Sequence, residues 1–444
     1  MIEMNELISI VKENGICGAG GAGFPSYGKI DSRAKTIILN CAECEPLLRL
    51  HRQVLETYAY EIMQTLTQIA SAVGAKEVII GVKEAYTQTV EAVQAHLHSF
   101  PMISIGLLPE MYPAGDEVVM IHELTGKVVP PGSIPIQVGV AVFNVETVYN
   151  IYQAIQNGKP VTHKFITITG EVEKPCTRYV PIGMSVADVV ALAGNVTTEH
   201  PVYIMGGPMT GNICTKYELI TKTSNAIIVL PESHLVVQKK RRNHQISMKR
   251  AMASCCQCEM CTDLCPRNLL GHPIEPHLFM RAATSGTTKD IGPFLNTFFC
   301  SSCGLCEMYS CNQGLSPRSL IAEYKAGLRA NGVKPPQAEQ TPVKRQRSMR
   351  KVPIARLRAR LGLEQYNVNA PLDESTVETK QVRIKLSQHI GAPAVAIVAV
   401  GDTVKKGQKI GEAVEQALSL PVHASVDGVV AEINDREIFI RVAK

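Results

Sequence analysis

The chain has 444 residues, of which 45% are hydrophobic and 19% charged, and its formal net charge is +5. This is the composition of an ordinary globular protein, and its length predicts three or more domains, because one hydrophobic core rarely organises so long a chain. The lack of Trp, the 5% aromatic content and the modest charge argue against nucleic-acid binding. No apolar run reaches about 18 residues and no secretory signal is recognisable, so the 14 cysteines favour a reducing cytoplasm.

The first 160 residues alternate between predicted helices and buried strands. A helix over 3–13 leads into the glycine-rich stretch GICGAGGAGFPSYGK, and strands at 36–39 and 77–82 are followed by helices over 50–73 and 84–98. This alternation predicts a parallel sheet with helices on its faces. We therefore expect a multidomain α/β protein that begins with a Rossmann-like nucleotide-binding domain over 1–160.

Three polar segments of this domain predict a ligand site. The glycines at 18, 20, 21 and 23 let backbone N–H groups approach phosphate oxygens, although a glycine-rich loop alone is often only a turn. The sequence NCAECEP follows the first strand over 40–46, and YPAGDE (112–117) precedes FNVET (143–147). The carboxyl ends of parallel strands are where α/β folds bind ligands.

Residues 161–240 change to short strands and turns. FITITGEV and PVYIMGGPMTG are predicted as strands with their loops, and SVADVVALAG as a helix. This pattern predicts a small α+β domain of the β-grasp type, similar to a soluble-ligand-binding (SLBB-like) domain. The basic stretch over 239–250 is interpreted as a solvated linker or the start of a helix.

Eight cysteines dominate residues 245–330. They form the runs C-x2-C-x2-C-x3-C, followed by Pro266, and C-x2-C-x2-C-x4-C. In bacterial two-cluster ferredoxins the fourth cysteine of each such run binds the cluster of the other run. We therefore expect a ferredoxin-like module with two [4Fe–4S] clusters, one held by Cys255, Cys258, Cys261 and Cys311 and the other by Cys300, Cys303, Cys306 and Cys265.

Zinc is the competing interpretation, because paired C-x2-C groups also suit a tetrahedral site of four thiolates. Four thiolates would suffice for zinc, however, and the three closely spaced cysteines of each run would be unexplained. Cys256 is interpreted as an unligated thiol. The same holds for the remaining buried or loop thiols, Cys17, Cys41, Cys44, Cys176 and Cys214.

The C-terminal part combines a linker, a helix and a small β domain. Residues 331–375 are predicted to be a flexible linker and a helix that docks through Ile354, Leu357 and Leu361, with a membrane-surface helix as the less favoured alternative. Residues 376–444 alternate short strands with Gly-Asp and Asp-Gly turns, which is typical of a lipoyl-type barrel-sandwich hybrid domain. Carrier versions of that domain present a lysine where this chain has Ser425-Val426-Asp427, so no covalent lipoyl or biotinyl group is expected.

The polar segments of the first domain resemble those of the flavin- and NADH-binding subunit of respiratory complex I, which reads GRGGAGFP, NADESEP, Gly-Glu-Glu and NNVET. They are more similar to the RnfC electron-transport family, which has AECEP and two ferredoxin-type clusters. The barrel-sandwich segment opens RnfC proteins and closes this chain, an order that resembles the cobalamin reductases of bacterial propanediol-utilisation microcompartments. The chain departs from the complex I pattern at Ala19, Ala42 and Phe143.

The resemblance implies a non-covalent FMN, with NADH as the substrate. It places around the FMN the residues Gly18, Gly20, Gly21, Gly23, Lys29, Asn40, Glu43 and Asn144. It places toward the nicotinamide dinucleotide the residues Phe24, Glu45, Tyr112, Asp116 and Glu117, with Gly115 in the same segment. It implies no acid–base catalytic residue, because flavin and clusters carry the electron transfer.

The implied reaction passes electrons from NADH through FMN and the two clusters to the cobalt of a corrinoid substrate, toward the cob(I)alamin that an adenosyltransferase needs. The implied partners are that adenosyltransferase and microcompartment shell proteins, in the cytoplasm inside a microcompartment. A homo-oligomer is a possible assembly, and neither nucleic acid nor a transmembrane segment is expected.

Two alternatives remain open from the sequence. The electron acceptor could be ferredoxin, a quinone or another redox protein, because the chain lacks the Asp-x-His-x-x-Gly motif of base-off corrinoid binding. The chain could also be an electron wire or scaffold without nucleotide turnover.

Overall fold

The N-terminal domain is a parallel sheet with helices on both faces, seen in a computed structural model that describes residues 2–286 and 289–442. Its elements are α1 (Met4–Glu13), β1 (Thr36–Cys41), α2 (Leu50–Thr57), α3 (Ala59–Val73), β2 (Glu77–Lys83), α4 (Thr87–Gln94), β3 (Ile103–Leu108), β4 (Met111–Tyr112), α5 (Glu117–Thr125), β5 (Val140–Asn144) and α6 (Val145–Asn157). The sheet has the order β3-β2-β1-β5, and every pair is parallel.

The strand order creates a switch point beside β1. From β1 the chain moves to β2 and β3 on one side, and it then returns to β5 on the other side. The crevice between the carboxyl ends of β1 and β5 is therefore the expected ligand position. The buried side chains of β1, such as Ile37 and Leu39, fix the central strand in the core.

The helix predicted over 50–73 is two helices. The chain leaves helical geometry at Tyr58, between α2 and α3. The ring of Tyr58 packs 4.6 Å from that of Tyr149, and its hydroxyl donates to Glu374 from the C-terminal part of the chain. The hydrophobic periodicity over 50–73 does not reveal this break, because Tyr149 and Glu374, which contact Tyr58, lie far away in the sequence.

The second domain is built on a mixed six-stranded sheet. Its elements are β6 (His163–Gly170), β7 (Cys176–Pro181), α7 (Val186–Ala191), β8 (Pro201–Met205), β9 (Asn212–Cys214) and β10 (Ala226–Pro231). A fully buried ion pair joins Lys164 of β6 to Glu146 of α6 and so links the first two domains.

The cysteine-rich module is helical. It contains α8 (Leu235–Lys240), α9 (His244–Ser254), α10 (Met260–Asp263), α11 (Pro266–Leu269), α12 (Pro276–Ser285), α13 (Gly292–Leu295) and α14 (Pro317–Ala330), with a short π-helix over Cys306–Ser310. The stretch predicted as a solvated linker or helix start lies across α8 and α9. Lys239 is buried there, and its ammonium donates to the carbonyls of Glu307 and Met308 within the π-helix.

The segment predicted as a flexible linker is attached to the cysteine-rich module and to the first domain. The backbone N–H of Lys344 donates to the carbonyl of Leu269, and Arg347 and Lys351 both pair with Glu123 of α5. Strand β11 (Val352–Pro353) then pairs with β4. Composition alone predicted mobility, but these charged partners hold the segment.

Helix α15 (Ile354–Arg360) follows β11 and packs against other parts of the chain. Ile354, Leu357 and Leu361 are buried in one core cluster with Val236 and Tyr112. This cluster joins the N-terminal, β-grasp and cysteine-rich parts of the chain. No helix in the described ranges is long and apolar enough to span a membrane.

The C-terminal domain consists of two small antiparallel sheets, preceded by β12 (Leu372–Asp373), which adds to the β-grasp sheet. Its strands are β13 (Gln381–Lys385), β14 (Val395–Ala396), β15 (Thr403–Val404), β16 (Lys409–Glu412), β17 (Val422–His423), β18 (Gly428–Ile433) and β19 (Glu437–Val442). Lys222 of the β-grasp domain donates to the carbonyls of Gly15 and Pro421, so one buried ammonium ties three domains together.

Candidate functional site

A cavity of about 480 Å³ lies in the crevice between β1 and β5. Ten of the fourteen residues predicted to bind cofactor or substrate line it: Gly18, Gly20, Gly21, Gly23, Phe24, Lys29, Asn40, Gly115, Glu117 and Asn144. The cavity therefore occupies the switch point of the sheet, where α/β folds bind their ligands.

The glycine-rich loop forms one wall. The N–H of Gly18 donates to the carbonyl of Phe24 at 2.9 Å, which closes the loop, and the N–H of Ala19 donates to the hydroxyl of Thr147 at 2.9 Å. Gly21 and Gly23 have φ angles of +72° and +69°, a conformation that favours glycine. The loop is thus held in a shape that only this composition adopts without strain.

Polar side chains form the floor of the cavity. The amide nitrogen of Asn40 donates to the carbonyl of Gly115 at 2.8 Å, and the ammonium of Lys29 donates to the carbonyl of Val142 at 2.9 Å. Burial lowers the pKa of Lys29, while the nearby Glu117 carboxylate opposes that shift. Asn144 accepts a hydrogen bond from Thr147, which fixes its side chain beside the loop.

Two features of the cavity suit a bound FMN. The hydroxyl of Ser26 is buried on the cavity lining and has no hydrogen-bond partner within the described chain, so a bound ligand would satisfy it. A Cβ atom at Gly21 would meet no protein atom within 4 Å, so the loop leaves open space there. The residues that would hold FMN are the loop glycines, Lys29, Asn40 and Asn144.

Four of the predicted residues lie outside the cavity lining. Glu45 accepts hydrogen bonds from the backbone N–H groups of Met209 and Thr210, at 2.8 and 2.7 Å. The hydroxyl of Tyr112 donates to the carbonyl of Cys303 at 2.5 Å. These two side chains therefore join the first domain to the β-grasp domain and the cysteine-rich module.

The other two are Asp116 and Glu43. Asp116 caps α5 and pairs with Arg267 of the cysteine-rich module at 2.9 Å. Glu43 is buried behind the cavity, where one carboxylate oxygen accepts from the N–H of His51 at 3.2 Å and the other has no partner in the described chain.

Glu43 predicts a measurable pH effect on stability. Burial raises its pKa from 4.5 to about 7, so between these values the folded protein keeps a proton that the unfolded chain has lost. Stability therefore falls as pH rises from 4.5 to 7, by up to about 3 kcal/mol for this group. Glu43→Gln is expected to flatten this fall in denaturant titrations at pH 5 and pH 7.5. Parallel pH profiles for the two proteins would contradict the assignment.

The sequence missed several residues of the cavity. Ile134, Pro135 and Ile136 form an apolar wall, and Ile390 reaches the cavity from the C-terminal domain. The backbone N–H of Ile390 donates to the carbonyl of Gly23 at 3.3 Å. Thr147 also lines the cavity and could have been predicted, because it ends the FNVET segment. No local sequence pattern marks Ile390.

The eight cysteines predicted as ligands lie in one module and influence one another. Burial raises the pKa of Cys261, and the nearby thiols of Cys311, Cys255 and Cys258 add to this rise; burial also raises the pKa of Cys303, with Cys265 and Cys300 as the nearby thiols. Burial raises the pKa of Cys306 as well, and the thiols of Cys300, Cys303 and Cys261 add to the rise. We call the two predicted ligand sets the outer group, Cys255, Cys258, Cys261 and Cys311, and the inner group, Cys265, Cys300, Cys303 and Cys306.

The burial, the electrostatics and the hydrogen bonds of these thiols suit iron–sulfur clusters. Burial and the neighbouring thiols raise the pKa of Cys261 to about 12, so as free thiolates these groups would repel each other, and the positive iron ions of a cluster would relieve this. Backbone N–H groups of Ser302 and Leu315 donate to the sulfurs of Cys300 and Cys311, each at 3.3 Å. Such bonds adjust the reduction potential of a cluster. Cys256 is exposed.

Family models match four consecutive segments of the chain. The Nuo51 FMN-binding domain matches residues 11–153 and the SLBB domain matches 165–212. The 4Fe-4S dicluster domain matches 254–316, and the RnfC barrel sandwich hybrid domain matches 365–442. The chain is therefore an oxidoreductase that combines flavoprotein and iron–sulfur domains for electron transport, and the dicluster match favours iron over the zinc interpretation.

Two further proteins are similar to most or to part of this chain. The NAD+-reducing [NiFe]-hydrogenase in its H2-reduced state has a similar fold, with a TM-score of 0.50 and 18% identity over 78% of this chain and 66% of that chain. A component of the ion-translocating oxidoreductase complex of Vibrio cholerae is 33% identical over 61% of this chain and 34% of its own.

Two relatives match from end to end. The cobalamin reductase PduS of Citrobacter freundii is 38% identical over 97% of this chain and 95% of its own length. That of Salmonella typhimurium is 39% identical over 99% of this chain and 97% of its own length. At this identity and coverage, the chain belongs to the family of the cobalamin reductase PduS.

Proposed function

We propose that this protein is an NADH-dependent cobalamin reductase that takes cob(III)alamin and cob(II)alamin toward cob(I)alamin for the regeneration of coenzyme B12. The observation that carries the proposal is the 39% identity to a cobalamin reductase over nearly all of both chains. The cavity at the switch point, which would accept FMN, and the two predicted sets of four cysteines, which would hold two [4Fe–4S] clusters, support the proposal.

The reaction needs both kinds of cofactor. NADH gives up a hydride, which carries two electrons, whereas a cluster or a cobalt ion takes one electron at a time. Bound FMN supplies the chemistry that converts the pair into single electrons. The chain binds the flavin with the glycine loop and Lys29, orients it between β1 and β5, and holds the thiols close to the same domain.

The nicotinamide side of the site is proposed to include Phe24 and Glu117. Phe24 is 37% exposed and lines the cavity, so its ring is accessible to an incoming dinucleotide. Glu117 lines the same cavity. Glu45, Tyr112 and Asp116 are engaged with other domains, so we propose that they shape this side of the site through those contacts.

Anaerobic turnover tests the proposal. With NADH as the donor, reduction of cob(III)alamin and cob(II)alamin, followed by their visible spectra, is expected to be at least tenfold faster than reduction of ferredoxin or a quinone. The matched control is NADPH as the donor. Flavin and clusters that are reduced by NADH but pass electrons only to ferredoxin would instead establish the second candidate function.

That second candidate is supported by the likeness to a component of an ion-translocating oxidoreductase complex. It keeps the same cofactors and changes only the acceptor. A third candidate, an electron wire or scaffold, predicts purified protein with an iron–sulfur spectrum and no flavin.

The proposed location is the inside of a propanediol-utilisation microcompartment in the cytoplasm. The proposed partners are an adenosyltransferase, which would consume the reduced corrinoid, and shell proteins. Co-purification of the chain with intact microcompartments would support this, and its recovery only outside them would contradict it.

A further inference from the structure

One of the two cysteine groups is in direct contact with the flavin domain. The hydroxyl of Tyr112, in β4, donates to the carbonyl of Cys303 at 2.5 Å. Three residues later, Gly115 lines the cavity. One short turn of chain therefore reaches from the flavin cavity to the backbone of Cys303, a member of the inner group.

A second contact fixes the same junction. Asp116, adjacent to Gly115, pairs with Arg267 at 2.9 Å, and Arg267 lies two residues after Cys265 of the inner group. The two side chains of this pair are 12% and 15% exposed. A mostly buried pair of this kind holds its partners more rigidly than a surface pair does.

The packing at this junction is close. A Cβ atom on Gly115 would lie 3.2 Å from the sulfur of Cys44, and one on Gly304 would lie 3.3 Å from the carbonyl of Met209. Cys303 packs against the same core cluster as Tyr112 and Met209. The turn that carries Gly115 and the loop that carries Cys303 and Gly304 are therefore both closely packed.

The outer group contains the exposed thiol among the eight predicted ligands. Cys258 is exposed, as is Cys256 beside Cys255. Cys255 and Cys311 pack, together with Cys300 of the inner group, on the cluster that includes Ala251 and Phe279. Near them α9 presents Met252, which is 61% exposed.

We propose that electrons enter the iron–sulfur module through the inner group and leave it through the outer group, and that Tyr112 is the residue that positions the inner group against the flavin domain. This order rests on the proposed function. One NADH supplies two electrons, one for each cluster, and NAD+ and one proton are released. Electron tunnelling falls steeply with distance, so the group that contacts the flavin domain receives electrons first, and the group with the exposed thiol passes them to the acceptor.

Rapid-mixing spectroscopy of two variants tests the order. After Cys258→Ala, which removes the outer cluster, NADH is expected to reduce the remaining cluster at the wild-type rate. After Cys303→Ala, which removes the inner cluster, NADH is expected to reduce the remaining cluster at least tenfold more slowly, while dithionite still reduces it fully. Dithionite shows that each variant has kept its other cluster.

The opposite pattern, or equal rates in the two variants, would overturn the order while leaving the proposed function intact. Wild-type clusters that dithionite reduces and NADH does not would defeat the proposed function, and the inference with it.

Tyr112→Phe gives a second test that does not depend on removing a cluster. It deletes only the hydroxyl that binds Cys303, and it is expected to shift the electron paramagnetic resonance signal of one cluster and to slow its reduction by NADH about tenfold. The matched control is Tyr366→Phe, which removes a hydroxyl bound to Glu171 in the β-grasp domain and should change neither reading. Unchanged signal and rate in Tyr112→Phe would exclude a positioning role for Tyr112.

Discussion

Cys258→Ala is expected to remove about half of the iron and acid-labile sulfide of the anaerobically purified protein, because each cluster needs four ligands and the outer group would keep only three thiols. Loss of the outer cluster should abolish cobalamin reduction. Oxidation of NADH by an artificial acceptor that takes electrons from the flavin should continue. Iron and sulfide analysis, with electron paramagnetic resonance of the reduced protein, measures the loss.

The neighbouring thiol provides the control. Cys256 is exposed and lies two residues before Cys258 in the same loop, but it belongs to neither group. Cys256→Ala should therefore keep the full iron content and activity. Full iron content after Cys258→Ala, or a loss of the same size in both variants, would show that the ligands have been misassigned.

Gly21→Val is expected to expel FMN and abolish NADH oxidation while both clusters remain. Gly21 lines the cavity and an added Cβ meets no protein atom within 4 Å, so the valine side chain is expected to compete with the flavin for that open space. The φ angle of +72° adds backbone strain of about 1–2 kcal/mol for any side chain. Flavin released from denatured protein, measured by fluorescence against iron content, gives the occupancy.

A second glycine separates the two effects. Gly74 ends α3 with a φ angle of +70°, and a Cβ there also meets nothing within 4 Å. Gly74→Val therefore carries the same strain away from the cavity, and it should keep its flavin. A normal flavin content in Gly21→Val would rule out the loop as the FMN site, and equal loss from both variants would attribute the effect to strain.

Some features of this protein followed from short stretches of sequence. The spacing of Cys255, Cys258 and Cys261 marked a cluster loop, because ligands separated by two residues can reach one cluster from a single local loop. The 4Fe-4S dicluster match over residues 254–316 confirmed that this part of the chain is an iron–sulfur domain. The glycine loop and the alternation of strands and helices were readable for the same reason, since each depends on local backbone conformation and periodicity.

Other features needed the tertiary structure. Glu45 and Tyr112 stood in segments typical of a nucleotide site, yet docking of other domains gives them partners at Thr210 and Cys303. The segment before β11 had the composition of a mobile linker, but Arg347 in this segment forms a salt bridge with Glu123, which lies more than 200 residues away in the sequence.

The sequence by itself determined the kind of chemistry, since cysteine spacing, glycine content and the alternation of strands and helices are properties of neighbouring residues. Only the tertiary structure decided which side chains share the cavity and which cysteine contacts the first domain. Ile390 reaches Gly23 across more than 360 residues of chain, and Tyr112 reaches Cys303 across 191. Contacts over such separations depend on how whole domains pack, and no local pattern encodes that packing.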